Sequence, residues 1–322
     1  MGLSKESSHL IAEAIKQGAQ DLYLLPRNKN YQVYLKHNND FELLDKITTE
    51  KAQLMINQLK YAANLDIAEH RRPQNGSFDL VEYPATNFRL STLSNYQNQE
   101  SMVMRIINAK TKQNYFLPEQ LNELQANANS RGLMVFAGPV GSGKTSTMYA
   151  IAKTLSAEKM VMTIEDPVEI KSSHFFQVQV NEQIEMSYLD LLKAALRHRP
   201  DVLIIGEIRD KKTAQVAVEA ALSGHLVMTT IHAKTAHGII ERFNQLGVDS
   251  ARLQSVVNCL CYQRLLLSTT GQLACLIDVL KPEAINNQQD TQGKYQSWRK
   301  KLQTIYNQGQ IDEKTLNHYQ EG

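Results

Sequence analysis

Leu133-Met134-Val135-Phe136-Ala137-Gly138-Pro139-Val140-Gly141-Ser142-Gly143-Lys144-Thr145 is the stretch on which the fold turns. An apolar run of strand length leads into a glycine-rich loop, and Ser146 to Leu155 (STMYAIAKTL) continues in good helix formers. A strand, a loop of the form G-x-x-x-x-G-K-[ST] and a helix, in that order, make a phosphate cradle. Its glycines let backbone N–H groups point inward at phosphate oxygens, Lys144 neutralises β/γ charge, and the Thr145 hydroxyl is placed to hold Mg²⁺. At average composition the fixed positions of that pattern coincide in a chain of this length about once in a hundred times. Gly138, Pro139, Val140, Gly141, Ser142, Gly143, Lys144, Thr145 and Ser146 are therefore the expected nucleotide-binding residues. ATP is expected rather than GTP, because no Asn-Lys-x-Asp guanine-reading sequence is present.

Downstream, Met160 to Ile164, Val202 to Ile205 and Leu226 to Ile231 are further apolar runs separated by helical stretches, which predicts a parallel sheet covered by helices. Hydrolysis needs carboxylates that position Mg²⁺ and orient a water, and such acids close two of these runs. Pro167 stops the first and leaves Glu165 and Asp166 at its end, and the second closes on Gly206-Glu207. In a parallel sheet both tips lie on the phosphate side. Strand-end acids also serve as caps and turn residues, and the upstream phosphate loop is what favours catalysis here. His232 closes the third run, placed to sense a γ-phosphate through a hydrogen bond. His225, before the same run, reads equally as a packing residue or a site residue.

Upstream the pattern differs. Short alternating runs, Asp21 to Leu25 (DLYLL) and Tyr31 to Leu35 (YQVYL), flank a polar turn at Pro26 to Asn30, which reads as a small α+β sheet domain over residues 1–108. Polar residues and then Pro118 place a linker at 109–117, leaving 118–322 for the second domain and its tail. The last forty residues, rich in Gln, Asn and Lys around Trp298 and Tyr306, are expected to form surface helices, as a packed tail rather than a docking element.

The composition agrees with this division. The 322 residues, 42% hydrophobic and 21% charged, exclude fibrous and disordered classes. At roughly 150 residues per domain the length suggests two domains. A net charge of +2 does not advertise a polyanionic partner; it does not exclude a local basic patch, so nucleic-acid binding has to be argued from a site, and no direct DNA binding is expected. Cys259, Cys261 and Cys275 are an odd set that fits small packing residues in a reducing compartment. Met1 to Glu6 has no apolar signal core, Glu6 stands where myristoylation needs Ser or Thr, and no apolar run approaches the roughly 18 residues that span a bilayer. A cytoplasmic start is expected, with membrane contact only through a partner.

After the phosphate loop come, in order, Glu165-Asp166-Pro167-Val168-Glu169, Gln177-Val178-Gln179-Val180-Asn181, Gly206-Glu207-Ile208-Arg209-Asp210 and Gly224-His225 through His232. This series resembles the type II secretion and type IV pilus ATPase superfamily, as its Walker A, Asp box, Walker B and His box, with Gly206-Glu207 where Walker B usually ends in aspartate. Gly18-Ala19-Gln20-Asp21-Leu22-Tyr23, Arg71-Arg72-Pro73-Gln74-Asn75-Gly76, Phe88-Arg89-Leu90-Ser91-Thr92-Leu93 and Val103-Met104-Arg105-Ile106 are similar to the family's N-terminal motifs. The resemblance implies an α/β fold: a RecA-like ATPase domain with a mostly parallel sheet, preceded by a PAS-like α+β domain. It implies that Arg89 and Arg105 reach the nucleotide, a role suited to planar guanidinium groups, although each alone reads as a surface ion pair. The Arg-Arg-Pro-Gln-Asn-Gly and Arg-Leu-Ser-Thr-Leu motifs look like the assembly branch, and the compact form is similar to the competence pilus ATPases of Gram-positive bacteria. The extra N-terminal domain and tetracysteine module of larger relatives are missing from the sequence, so no zinc is expected. Arg199 in Arg197-His198-Arg199-Pro200-Asp201 departs from the acid or amide that relatives often carry there.

The resemblance further implies a cytoplasmic motor, a hexamer docked on a polytopic membrane platform protein at the inner face of the membrane. In it Glu207 orients the attacking water, Glu165 assists with water and metal, Thr145 ligates Mg²⁺, and His232, Arg89 and Arg105 attend the phosphates. A retraction motor shares this chemistry, and a RecA-like nucleic-acid translocase shares the core but needs basic or aromatic loops facing its substrate.

Overall fold

A computed structural model of the chain describes residues 3–37, 40–84, 86–108, 113–181, 186–282 and 296–322, which fall into two compact units, Met1–Lys110 and Thr111–Gly322. In the first unit, α1 (Lys5–Lys16) and α2 (Thr49–Ala62) start on Ser4 and Thr48, whose hydroxyls accept from the backbone N–H groups of Ser7 and Lys51. β1 (Asp21–Arg27), β2 (Asn30–His37), β3 (Asp40–Thr48), β4 (Gln74–Asp79), β5 (Thr86–Ser94) and β6 (Glu100–Asn108) pair antiparallel in the order β3-β2-β1-β6-β5-β4. The period-two alternation puts Leu22, Leu24, Tyr31, Val33 and Leu35 on one face, where they pack with Ile11, Ile56 and Leu59 of the helices. The turn between β1 and β2 is shorter than the polar stretch suggests. Pairing runs through Pro26 and Asn30, and Asn28 takes a φ of +54°, which asparagine tolerates better than most residues.

Inside this unit lies a buried ion pair. Lys60 Nζ of α2 donates to Glu100 Oε1 of β6 at 2.8 Å and to the Glu69 carbonyl at 2.6 Å, and His70 Nδ1 stands 2.8 Å from Glu100 Oε2. The pair thus ties a helix end, a strand start and the segment leading to Arg71-Arg72-Pro73.

The second unit contains β7 (Asn114–Tyr115), α3 (Pro118–Asn127), β8 (Gly132–Ala137), α4 (Lys144–Leu155), β9 (Val161–Glu165), β10 (Phe176–Gln179), α5 (Tyr188–Arg197), β11 (Val202–Ile205) and α6 (Lys211–Leu222). It continues with β12 (Leu226–Ile231), α7 (Ala236–Gln245), α8 (Ser250–Gln254), β13 (Val257–Leu267), β14 (Leu273–Leu280), α9 (Gln296–Asn307) and α10 (Glu313–His318). The sheet order is β10-β9-β11-β12-β8-β13-β14-β7. Strands from β10 to β13 are parallel, and β14 runs antiparallel to β13 because the connection from Leu267 to Leu273 is too short for a crossover helix. The sheet is therefore mixed. Of the stretch expected as linker, residues 109–112 lie outside the described residues, whereas β7 joins the sheet beside β14 and Phe116 is buried in the core of the second unit.

Successive strand residues feed opposite faces of this sheet. Met134, Phe136, Ile204, Met228 and the buried free thiols of Cys259, Cys261 and Cys275 pack under α3 and α4. Leu133, Val135, Leu203, Ile205 and Val227 pack under α5, α6, α7, α8 and α9. The tail belongs to this second layer. Trp298 is 1% exposed, its ring centroid lies 5.3 Å from that of Tyr262, and its indole donates to the Tyr319 carbonyl at 2.6 Å. Among the described residues no helix is long and apolar enough to cross a membrane.

Candidate active site

The phosphate loop leaves β8 at Ala137 and enters α4 at Lys144. Gly143, the residue before the helix, has φ +82°, a left-handed conformation that glycine adopts without strain, and it offers α4 no side-chain cap. The first-turn N–H groups of α4 are thus left for an anion. At Gly138 a Cβ would run into the Gln263 carbonyl oxygen, so the backbone approaches here as only glycine permits. The amide of Gln263, on β13, donates to the Ser142 carbonyl at 2.7 Å and braces the loop from below. Lys144 Nζ reaches back to the carbonyls of Gly138 and Pro139, both at 2.9 Å. Burial pushes the Lys144 ammonium down, and the negative charges of Glu207 and Glu169 oppose that. The Ser142 hydroxyl is buried without a hydrogen-bond partner among the described residues, a donor suited to a phosphate oxygen. Val140 forms the exposed tip of the loop. Nucleotide phosphates fit this cradle.

The acids sit on neighbouring parallel tips. Glu207 follows β11 and His232 follows β12, and His232 Nε2 lies 2.9 Å from Glu207 Oε1. Because a carboxylate only accepts, that nitrogen carries the proton. Glu207 Oε2 takes Arg209 Nε at 2.9 Å and Nη2 at 2.8 Å, so both carboxylate oxygens are oriented, and Oε1, engaged by His232 alone, keeps a lone pair for a water. The Tyr188 hydroxyl of α5 donates to the Ile164 carbonyl at 2.7 Å and accepts from the Glu207 backbone N–H, bridging the ends of β9 and β11.

Glu165, at the end of β9, is 4% exposed, and burial pushes its carboxyl up against the opposing pull of its hydrogen-bond donors. Thr145 and Ser146 stand in the first turn of α4, part-buried. The phosphate loop, Glu165, Glu207 and His232 thus share one end of one sheet. Arg89 and Arg105 belong to the first unit, where they face each other in register on β5 and β6, and Asp21 of β1 accepts from Arg105 Nε at 2.7 Å. That carboxylate offsets the repulsion of two like charges directly across a strand pair. His225 hydrogen-bonds through Nδ1 with the Ala220 carbonyl at 3.0 Å, a packing role at the end of α6. Sequence reasoning gave no role to Arg209, Tyr188, Gln263 or Tyr149. Arg209 alone left a signal, falling two residues beyond Glu207 with complementary charge.

A strand, a phosphate loop, a helix and acid-tipped parallel strands define a nucleoside triphosphate-binding α/β protein. Residues 3–319 match the family described as Type II/IV secretion system protein, and the chain belongs to that family. It is 41% identical over 261 residues to Competence protein ComGA of Streptococcus pneumoniae, covering 81% of this chain and 83% of that one. It is 36% identical over 283 residues to Competence protein ComGA of Bacillus subtilis, covering 85% and 77%. Among solved structures the pilus retraction motor PilT with bound ADP superposes with a TM-score of 0.76 over 97% of this chain and 96% of that one, a shared fold at 24% identity.

Proposed function

We propose that this chain is a motor ATPase that hydrolyses ATP to drive assembly of a competence pilus. The observation that carries the reading is the alignment, at one end of the second unit's sheet, of Lys144 in its phosphate loop with Glu207 and His232 joined across 2.9 Å. ATP phosphates lie on the loop and the first turn of α4. Glu207 orients the attacking water, His232 reports the γ-phosphate through Glu207, and Glu165 assists from the adjacent tip. The Thr145 hydroxyl would hold Mg²⁺, which would supply positive charge against the charge developing on the transferring group. The first unit acts as a PAS-like domain whose Arg89 and Arg105 clamp the phosphates as it closes over the ATPase domain, so that turnover becomes relative movement of the two. Six copies form a ring on a polytopic membrane platform at the inner face of the membrane, and rotation of that platform lifts pilin subunits into the fibre.

The competence relatives, more similar in sequence than the retraction motor, favour assembly. Deleting the gene separates the two directions: loss of pili supports assembly, and excess pili supports retraction. For the chemistry, Glu207→Gln is expected to keep binding of a non-hydrolysable ATP analogue and to lose phosphate release. An unchanged rate removes Glu207 from the reaction.

A further inference from the structure

The Gln177 motif and the tyrosine inside α4 take no part in the mechanism above, yet they converge on one of its acids. Tyr149 lies one helical turn beyond Thr145, on the same side of α4. Its hydroxyl donates to Glu165 Oε1 at 2.5 Å, and Thr163 Oγ1 donates to the same oxygen at 2.8 Å. No described residue hydrogen-bonds Glu165 Oε2. Gln177, on β10, fixes the tyrosine in turn. Its Oε1 accepts from the Ser172 backbone N–H at 2.7 Å, which sets the amide orientation, and its Nε2 donates to the Tyr149 hydroxyl oxygen at 2.9 Å and to the Ile170 carbonyl at 2.8 Å. A phenol that already receives one hydrogen bond on oxygen has its own proton left to give, and the acceptor in front of it is Glu165. Phe175 closes the group edge-on to Tyr149, with centroids 5.1 Å apart.

We propose that Tyr149 and Gln177 are positioning residues for Glu165, holding the carboxylate by Oε1 so that Oε2 is presented to the nucleotide end of the sheet. This rests on the reading of Glu165 as a group that acts on the attacking water. Its consequence is specific to the fold: the helix that begins at the phosphate loop also sets the angle of the acid on β9, a strand separated from β8 by β11 and β12.

The test is a double-mutant cycle on the full-length protein, reading single-turnover phosphate release and the affinity for a non-hydrolysable ATP analogue. Tyr149→Phe keeps the ring and removes the hydroxyl. It is expected to slow turnover about tenfold, on the scale of a small misplacement of a catalytic group, with analogue affinity unchanged. In a Glu165→Gln background the same substitution is expected to slow turnover by less than about twofold, because groups acting through one another are not additive. Gln177→Leu is to follow the same pattern, and it carries the comparison by itself if Tyr149→Phe does not fold. An equal loss in both backgrounds, or a loss of affinity in place of turnover, overturns the proposal. So does wild-type turnover in Glu165→Gln beside an inactive Glu207→Gln, which leaves the ATPase reading standing. Absence of phosphate release from the wild-type protein strikes that reading itself.

Discussion

Gly138 and Gly141 both carry a positive φ, +146° and +79°, but differ in what a methyl group would meet. At Gly138 an added Cβ strikes the Gln263 carbonyl oxygen, a backbone atom held in the sheet, whereas at Gly141 it meets nothing within 4 Å. Gly141→Ala therefore costs strain alone, about 1–2 kcal/mol. Gly138→Ala must in addition displace β13 or the loop, so its loss of ATP-analogue affinity in equilibrium titration is expected to be the larger of the two. Equal losses would show that the loop does not depend on its approach to β13. Glu165, Glu207 and His232 were legible as residues because each stands at the end of an apolar run, Glu207 after Gly206, where a polar side chain stands out. Tyr149 was not: a tyrosine among Met148, Ile151 and Ala152 reads as core, and its partners lie 16 and 28 residues away in sequence.

At the scale of elements, Lys60 and Glu100 join α2 to β6 with side chains 0% and 1% exposed. Removing one member of such a pair strands a charge in the interior, typically about 3–5 kcal/mol. Lys60→Met is expected to lower the stability of the first unit by an amount near the low end of that range, since His70 still faces Glu100. Adding Glu100→Leu to Lys60→Met should recover most of the loss in chemical denaturation. No recovery would mean that the pair acts by fixing the backbone at Glu69 and not through its charges. Elements buried on both faces were the easiest to read: β8, β9, β11 and β12 fall within a residue of their apolar runs. β13 was missed because Gln263 and Arg264 interrupt its apolar pattern, and with it went the antiparallel hairpin. β7 was absorbed into an expected linker, since two paired residues leave almost no periodic signal.

For the whole molecule, the tail is structural to the second unit. Trp298, Leu302 and Ile305 complete the layer that covers β13 and β14, and truncating a buried tryptophan to alanine costs about 3–5 kcal/mol. Trp298→Ala is expected to lower the unfolding midpoint of the second unit while leaving that of the first unchanged. A common shift of both would show that the two units unfold together. The tail thus packs as its sequence leads one to expect, with Trp298, Leu302 and Ile305 together on one helix face.

Gln263 and Arg264 are consecutive on β13, so their side chains leave opposite faces of the sheet. The amide of Gln263 goes to the Ser142 carbonyl, and the guanidinium of Arg264 goes to the Tyr262 hydroxyl at 2.9 Å and the Gly322 carbonyl at 2.6 Å. Deleting a single codon upstream of this pair would exchange the two destinations, aiming a cation at the loop and an amide at the tail. Length variation among natural versions of this hairpin should accordingly be confined to its turn, Ser268 to Gln272, where a gained or lost residue leaves that pairing intact.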